Sequence, residues 1–209
     1  MPPSRAALLA SAQALCADFA ASAPSDALLA HFSTTHRISA VEHGEPLLAP
    51  FIGRPFAGRA GPRAVPAYFA LLSKHLAFHA MSFGAWVVDA HACRVCAKGR
   101  ATFTWTEGPA AHQSWEEEFV YMLDFDDQAK VTDYQVWADS GAAYLARRGE
   151  LADKRKACSA CNLCCLRFTA HPPHTGVRGG GGGESSLAHV MAHLLVYLYH
   201  ADSPRIPSP

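Results

Sequence analysis

Residues 131–139 read Val-Thr-Asp-Tyr-Gln-Val-Trp-Ala-Asp, a run that predicts the last β-strand of a compact domain. Because side chains alternate across a strand, three polar residues and one tryptophan share a face of it. They are Asp133, Gln135, Trp137 and Asp139. That face meets either water or a pocket beside a buried aromatic ring, and the sequence leaves both open.

Three further strand-like segments precede this one, at about residues 78–90, 93–106 and 112–125, with short turns between them. The second segment alternates along its length. One face carries Cys93, Val95, Ala97, Gly99, Ala101, Phe103 and Trp105, and the other carries Arg94, Cys96, Lys98, Arg100, Thr102 and Thr104. This pattern is typical of an antiparallel sheet with one buried and one wet face.

The helical signals lie mostly before the long strands. Residues 4–22 predict a helix with its buried stripe at helical spacing, a short helix follows to Phe32, and a third begins at Pro62. Residues 38–43 predict a short strand, and at most a very short strand is predicted near Phe56. Residues 141–147 predict a last helical turn. Segregated helices and an antiparallel sheet indicate an α+β domain over residues 1–151. Helices on the concave side of such a sheet leave a cone-shaped cavity.

Composition changes abruptly after Leu151. Residues 152–209 are rich in Cys, Gly and Pro and include the glycine tract Gly179–Gly183, so we predict a disordered tail. Cys158, Cys161, Cys164 and Cys165 have the spacing of metal ligands. Zinc modules usually separate two ligand pairs by a turn or hairpin, which is missing here, so we expect neither a metal site nor a cofactor.

The charged residues, the cysteines and the apolar runs of the sequence limit the partners and the location that we expect. The chain has 18 Lys and Arg residues and 18 Asp and Glu residues, so its formal net charge is zero. It therefore has no excess of positive charge to hold the backbone of a nucleic acid. The seven cysteines are odd in number and clustered, which favours reduced thiols and a cytoplasmic location. The apolar run at residues 187–199 is interrupted by histidines and is too short to span a bilayer, so we expect no membrane association.

Over residues 5–150 the chain resembles the NTF2-like superfamily, and within it the SnoaL-like proteins. The resemblance rests on element order and on four stretches, Val41–Gly44, Gly61–Leu72 around Tyr68-Phe69, Trp115–Tyr121 and Tyr134–Asp139. It implies a conical α+β barrel whose curved antiparallel sheet and N-terminal helices enclose a pocket, and homodimers packed sheet to sheet. The superfamily contains cyclases, dehydratases, isomerases and many non-enzymes, so fold alone does not settle function.

Two carboxylates are candidates for catalysis. The resemblance makes Asp139 the match to the acid/base residue of SnoaL-like cyclases, and desolvation beside Trp137 would raise its pKa. Asp139 also precedes a predicted helix and has the alternative role of an N-cap. Glu117 shares its strand face with Trp115 and Phe119, where a charge is costly unless it lines a cavity. A register shift at the strand end is the alternative for Glu117.

His43, at the end of the first strand, is the third candidate, as a residue that orients a carboxylate or shuttles a proton. Its alternative is an exposed histidine beside two glutamates. The predicted pocket lining is aromatic and comprises Tyr68, Trp86, Tyr121 and Trp137. The chain departs from the dehydratases of the family, because it has no clear His-Asp dyad.

Together these observations predict a small-molecule-binding protein with Asp139 as base and Glu117 or His43 as its assistant. If it is an enzyme, we expect a cofactor-independent cyclase, isomerase or dehydratase acting on an apolar carbonyl ligand of the polyketide type. The alternative is a non-catalytic dimerisation or protein-interaction module. The polar outer face of the second long strand, with Arg94, Lys98 and Arg100, suits a homodimer contact.

Overall fold

The structure is a computed structural model that describes residues 2–107 and 113–160. These residues all fall within one compact unit of the chain. The helices are α1 Arg5–Ala20, α2 Ser25–Leu29, α3 Val65–His75, α4 Ser140–Arg147 and α5 Leu151–Ala160. The strands are β1 Ser39–His43, β2 Phe56–Ala57, β3 Leu76–Asp89, β4 Arg94–Trp105, β5 Ser114–Phe125 and β6 Val131–Trp137.

The six strands form one curved, unclosed sheet in the order β2-β1-β6-β5-β4-β3. Strands β3 to β6 make an antiparallel meander, and β1 joins the sheet by pairing in parallel with β6. The helices pack on the concave side, with α1 lying mainly against β3 and β4. The predicted α+β class and the order of the elements are therefore confirmed.

Alternation in the long strands decides which side chains form the core. The predicted inner face of β4 is buried or half-buried along its length, and on β5 Trp115, Phe119, Tyr121 and Leu123 are buried. Gly99 lies directly beneath the ring of Phe119, where a Cβ would come within 2.2 Å of that ring. The core is therefore an aromatic layer between the helices and the sheet.

Two helices complete this core by burying one stripe each. In α1 the predicted residues Leu8, Ala12, Leu15 and Phe19 are buried, and Ser4 caps the helix by accepting a hydrogen bond from the backbone N–H of Ala7. In α3 the buried residues include Tyr68 and Phe69. This burial packs the rings of Tyr68 and Phe69 against Tyr134 on β6.

The edge strand β3 is irregular. Its pairing with β4 shifts between His79 and Ser82 and again between Gly84 and Val87. Ala80 and Ala85, inside those gaps, have positive φ angles of 53° and 50°. Such bulges bend a strand and strengthen its twist, so they account for part of the sheet's curvature.

Helix α5 occupies the first residues of the predicted tail, a helix that the sequence pattern did not predict. Cys158 lies on it as an exposed free thiol. Cys161, Cys164, Cys165 and the remainder of the tail to residue 209 lie outside the described residues, so the disorder of that part stays a prediction. Within residues 2–107 and 113–160, none of the helices combines the length and apolar character needed to cross a membrane.

Candidate functional site

A small chamber of about 60 Å³ lies between α3 and the concave face of the sheet. Most of its wall is apolar or aromatic, including Trp105, Trp115 and Phe119. The polar groups on the wall come from five strands and helices. They are Glu42, Tyr68, Glu117, Tyr121, Tyr134 and Ser140. Two carboxyl groups therefore share one largely apolar enclosure, which we call the inner chamber.

Glu42 enters the inner chamber from β1 because it shares the inward parity of Ala40 on that strand. The Tyr68 hydroxyl on α3 donates a hydrogen bond to its Oε2 at 3.1 Å. Burial raises the pKa of the Glu42 carboxyl to about 8, the bond from Tyr68 opposes this rise, and the nearby charge of Glu117 adds to it. Glu42 is therefore mostly protonated at neutral pH.

Glu117 enters from β5 and is held by two donors. The indole Nε1 of Trp115 donates to its Oε2 at 2.6 Å, and the backbone N–H of Asp139 donates to its Oε1 at 3.2 Å. Burial raises the pKa of Glu117 to about 7, and the bond from Trp115 opposes that effect. The sequence prediction that Glu117 faces inward is confirmed, and no register shift turns it outward.

The hydroxyl of Tyr134 is buried without a well-formed hydrogen bond to any described residue. The hydroxyls of Tyr68 and Tyr121 lie close enough to interact with it electrostatically, and burial raises its pKa well above the usual value. Because Tyr134 lines the inner chamber beside the hydroxyls of Tyr68 and Tyr121, its O–H can donate to either of them or to a ligand oxygen.

A second chamber, of about 450 Å³, adjoins the first between the α1–α2 turn, α3 and strands β3 and β4. We call it the outer chamber. Its wall is mainly apolar, with Phe19, Leu28 and Met81 among the lining residues. The two chambers share four lining residues, which are Leu72, Leu76, Phe103 and Tyr121. This arrangement offers a large apolar space next to a small acidic one.

Solved structures share this architecture. An NTF2-like protein of unknown function from Burkholderia pseudomallei superposes with a TM-score of 0.54 at 13% identity, over 68% of this chain and 97% of its own. The chain has the NTF2-like fold. A candidate SnoaL-like polyketide cyclase from Jannaschia sp. CCS1 gives 0.53 at 14% identity, over 70% and 95%. A candidate isomerase from Rhodopseudomonas palustris gives 0.51 at 13% identity, over 71% and 99%.

The fold predicted from the sequence resemblance is therefore confirmed. No family model matches the sequence, and no curated protein matches it at a significant level. Identities this low establish the NTF2-like fold alone. The chemistry of the site depends on the residues that line its cone.

Asp139 lies outside both chambers of the NTF2-like cone. Its side chain is exposed, and its Oδ1 accepts a hydrogen bond of 3.0 Å from the backbone N–H of Ala142 at the start of α4. The alternative reading of Asp139 as an N-cap matches this geometry. Its predicted role as the base does not, because an exposed carboxylate bound to a helix N-terminus is neither desolvated nor in reach of a ligand in the cone.

His43 and Trp137 also lie away from the chambers, on the outer face of the sheet. Nε2 of His43 lies 2.9 Å from Oε1 of Gln135, and the His43 ring stacks on Trp137 with centroids 4.2 Å apart. Trp137 is 41% exposed, so the prediction that it lines the pocket is corrected. The polar face of β6 is the face turned away from the core.

Two of the four aromatic residues predicted to line the pocket do so, and two do not. Tyr68 and Tyr121 line the inner chamber as expected. Trp86 is half-buried beside Phe83 near the end of β3 and lies outside both chambers. The sequence analysis did not predict Glu42 or Tyr134 as site residues. Glu42 could have been found, because it alternates with the apolar residues Ile38 and Ala40 and so shares their inward face.

Proposed function

We propose that this protein binds a mid-sized, partly apolar carbonyl compound of the polyketide type and moves a proton on it without a cofactor. The observation that carries the proposal is the pair of buried carboxyl groups, Glu42 and Glu117, on one small chamber beside a large apolar one. Candidate isomerase and SnoaL-like cyclase structures with the same fold support this reaction class.

The two carboxyl groups suit different roles because their hydrogen-bond partners differ. Two N–H donors, from Trp115 and Asp139, favour the ionised form of Glu117, whereas Glu42 is held by the Tyr68 hydroxyl alone among the described residues. Glu117, with a pKa of about 7, is partly ionised at neutral pH and is the general base. Glu42, with a pKa of about 8, is mostly protonated there and is the acid. The buried hydroxyl of Tyr134, which lies beside those of Tyr68 and Tyr121, is a further donor for negative charge that develops on a carbonyl oxygen.

In the proposed reaction the apolar body of the substrate occupies the outer chamber and its carbonyl group enters the inner one. Glu117 takes a proton from the carbon beside the carbonyl, and the C–H electron pair moves toward the carbonyl oxygen. Tyr134 and protonated Glu42 donate hydrogen bonds to that oxygen. Return of the proton from Glu117 to a different carbon completes an isomerisation and regenerates the carboxylate.

Deuterium incorporation tests the proposal directly. A panel of mono- and bicyclic unsaturated ketones is incubated with the protein in D2O, and exchange beside the carbonyl is followed by NMR. The wild type is expected to accelerate exchange of at least one ketone, and Glu117→Gln to lose about 100-fold of that acceleration or more. Glu116→Gln is the matched control, since Glu116 is the next residue but lies exposed in an ion pair with Arg100.

A non-catalytic binding module is the second candidate function, because an inner chamber of about 60 Å³ admits a carbonyl group but not a ring. That function predicts ketone binding, seen by intrinsic tryptophan fluorescence, with no accelerated exchange in any variant. Exchange that is fully retained in Glu117→Gln would refute the assignment of the base.

A further inference from the structure

The walls of the two chambers offer no positive charge to an anionic ligand. Among the described residues that line them, none is Lys, Arg or His. The carboxyl groups on these described walls are those of Glu42 and Glu117, and both lie on the inner chamber. A carboxylate or phosphate ligand would lose its hydration there without gaining a counter-charge, which is unfavourable. The cone therefore favours ligands that are neutral or positively charged.

The two carboxyl groups of the inner chamber have no cationic partner among the described residues that line it. Burial, the largest influence on each, raises the pKa of Glu42 to about 8 and that of Glu117 to about 7. The donors that oppose this effect are all neutral, namely the Tyr68 hydroxyl, the Trp115 indole and the backbone N–H of Asp139. A ligand cation next to both carboxyl groups would supply the charge that these donors lack.

The inner chamber also has an acceptor for each of the three N–H groups of a primary ammonium ion. Tyr68 donates to Oε2 of Glu42, which leaves Oε1 without a donor among the described residues. Each carboxyl oxygen of Glu117 accepts one hydrogen bond and keeps a second lone pair. The Tyr134 hydroxyl is fully buried on the same wall without a well-formed hydrogen bond to a described residue. Its oxygen remains an acceptor even when its O–H donates to a neighbouring tyrosine.

The size and the wall of the inner chamber suit a small cationic head group. Its volume is about 60 Å³, and Trp105, Trp115 and Phe119 form part of its wall. Aromatic rings attract a cation through their π faces, so this wall is more favourable to an ammonium group than an aliphatic wall would be. The outer chamber, of about 450 Å³, is mainly apolar and has room for a hydrocarbon body attached to that head group.

We propose that this protein binds primary alkylamines, with the ammonium group in the inner chamber beside Glu42 and Glu117 and the hydrocarbon body in the outer chamber. The ammonium group donates one hydrogen bond to each carboxyl group and one to the hydroxyl oxygen of Tyr134. This inference rests on the two chambers of the proposed function but not on the reaction proposed there. Because the ammonium group takes the place of the carbonyl group, amines and ketones compete for the cone.

Ligands that share one hydrocarbon body test the head-group preference. Octylamine, octanol and octanoate are titrated into the full chain at neutral pH, and their dissociation constants are measured by isothermal titration calorimetry. We expect octylamine to bind at least about tenfold more tightly than octanol, and octanoate to bind more weakly than octanol. A wild type that binds octylamine no more tightly than octanol, or that prefers octanoate, would overturn the proposal.

Substitution of each carboxyl group tests where the amine binds. In Glu42→Gln and in Glu117→Gln, the affinity for octylamine is expected to fall by about tenfold while the affinity for octanol stays within about twofold. The retained octanol affinity shows that the chambers of the variant are intact. Glu116→Gln is the matched control, because Glu116 lies exposed in an ion pair with Arg100 and should leave all three affinities unchanged. A preference for octylamine that survives in both Gln variants would refute the site.

The size of the head group tests the inner chamber without any substitution. Octyltrimethylammonium keeps the charge and the chain of octylamine but carries methyl groups in place of its N–H donors. It is expected to bind at least about tenfold more weakly, because the small chamber cannot enclose it and the hydrogen bonds are lost. Equal affinities would overturn the proposal. Ketone exchange without amine preference would contradict the amine site alone, and amine preference without ketone exchange would contradict the proposed reaction alone.

Discussion

The Tyr68 hydroxyl lies 3.1 Å from Oε2 of Glu42 and donates a hydrogen bond to it, which joins α3 to β1 inside the cone. Both side chains are buried, so this bond orients the carboxyl group without giving it a counter-charge. Desolvation therefore outweighs the bond, and the pKa of Glu42 stays high. The carboxyl enters the site as a hydrogen-bond donor rather than as a fixed negative charge.

Stability is expected to fall as the pH rises from about 5 to about 8. The folded-state pKa values of Glu42 and Glu117 are about 8 and about 7, raised from 4.5. Each group stabilises the folded state fully below the unfolded pKa, and this contribution is lost as the pH rises through the folded pKa. Within that window each contributes a slope of about 1.4 kcal/mol per pH unit.

Urea unfolding at pH 5, 6, 7 and 8 measures this slope. In Glu42→Gln, which cannot titrate at this position, the slope between pH 5 and 8 is expected to be shallower than in the wild type. The exposed Glu116→Gln variant keeps the wild-type slope. A wild type that is equally stable at pH 5 and pH 8 would contradict the raised pKa values.

Asp139 is expected to act on stability through α4 and on Glu117 through its charge. Asp139→Ala removes the cap bond to Ala142 and should cost about 1 kcal/mol of unfolding free energy. Asp139→Asn keeps a capping oxygen, so its stability should stay near that of the wild type. The negative charge of Asp139 raises the pKa of Glu117. The pKa of Glu117 should therefore be lower in Asp139→Asn than in the wild type.

Thermal unfolding and carboxyl carbon-13 NMR titration separate the two effects of Asp139. An Asn variant as unstable as the Ala variant would show that the cap is not the main role of this side chain. An unshifted titration of Glu117 in the Asn variant would show that the two carboxyl groups are electrically independent.

The regular strands made Glu117 predictable from sequence. Strands β4 and β5 pair without a break from Arg94 to Thr104, so a strict period of two assigns every residue to a face. One of the three consecutive glutamates had to share the face of Trp115 and Phe119, and the structure places Glu117 there. The burial of the aromatic residues of α3 and β5 could be predicted in the same way, from the periodicity of the helix and of the strand.

Glu42 was not predicted because the local pattern around it is ambiguous. Strand β1 has only five residues, and apolar Val41 points outward while Glu42 points inward. The inward face is fixed by parallel pairing with β6, a contact about 90 residues away that local periodicity does not encode. Trp86 lies within the second of two bulges, whose positive φ angles occur at Ala80 and Ala85, and the sequence around these alanines does not predict such a conformation.

Gly99 is expected to tolerate no side chain, because an added Cβ would lie 2.2 Å from Cε2 of Phe119. Gly99→Ala should therefore destabilise the fold by about 1–3 kcal/mol through overpacking. Replacement of the ring in Gly99→Ala/Phe119→Leu should recover part of the loss, measured by urea unfolding. If the losses of unfolding free energy caused by Gly99→Ala and by Phe119→Leu simply add in the double variant, the two residues do not compete for the same space.

The boundary between the two chambers offers the sharpest test of ligand entry. Leu72 on α3 lines both chambers, so Leu72→Trp should narrow the passage and lower ketone affinity by about tenfold or more. Ala70→Trp is the matched control, since Ala70 is exposed on the same helix. Binding is measured by the deuterium-exchange and fluorescence assays, and folding by circular dichroism. If Leu72→Trp folds and binds like the wild type, the ligand does not pass between α3 and the sheet, and the carboxyl pair has no access to it.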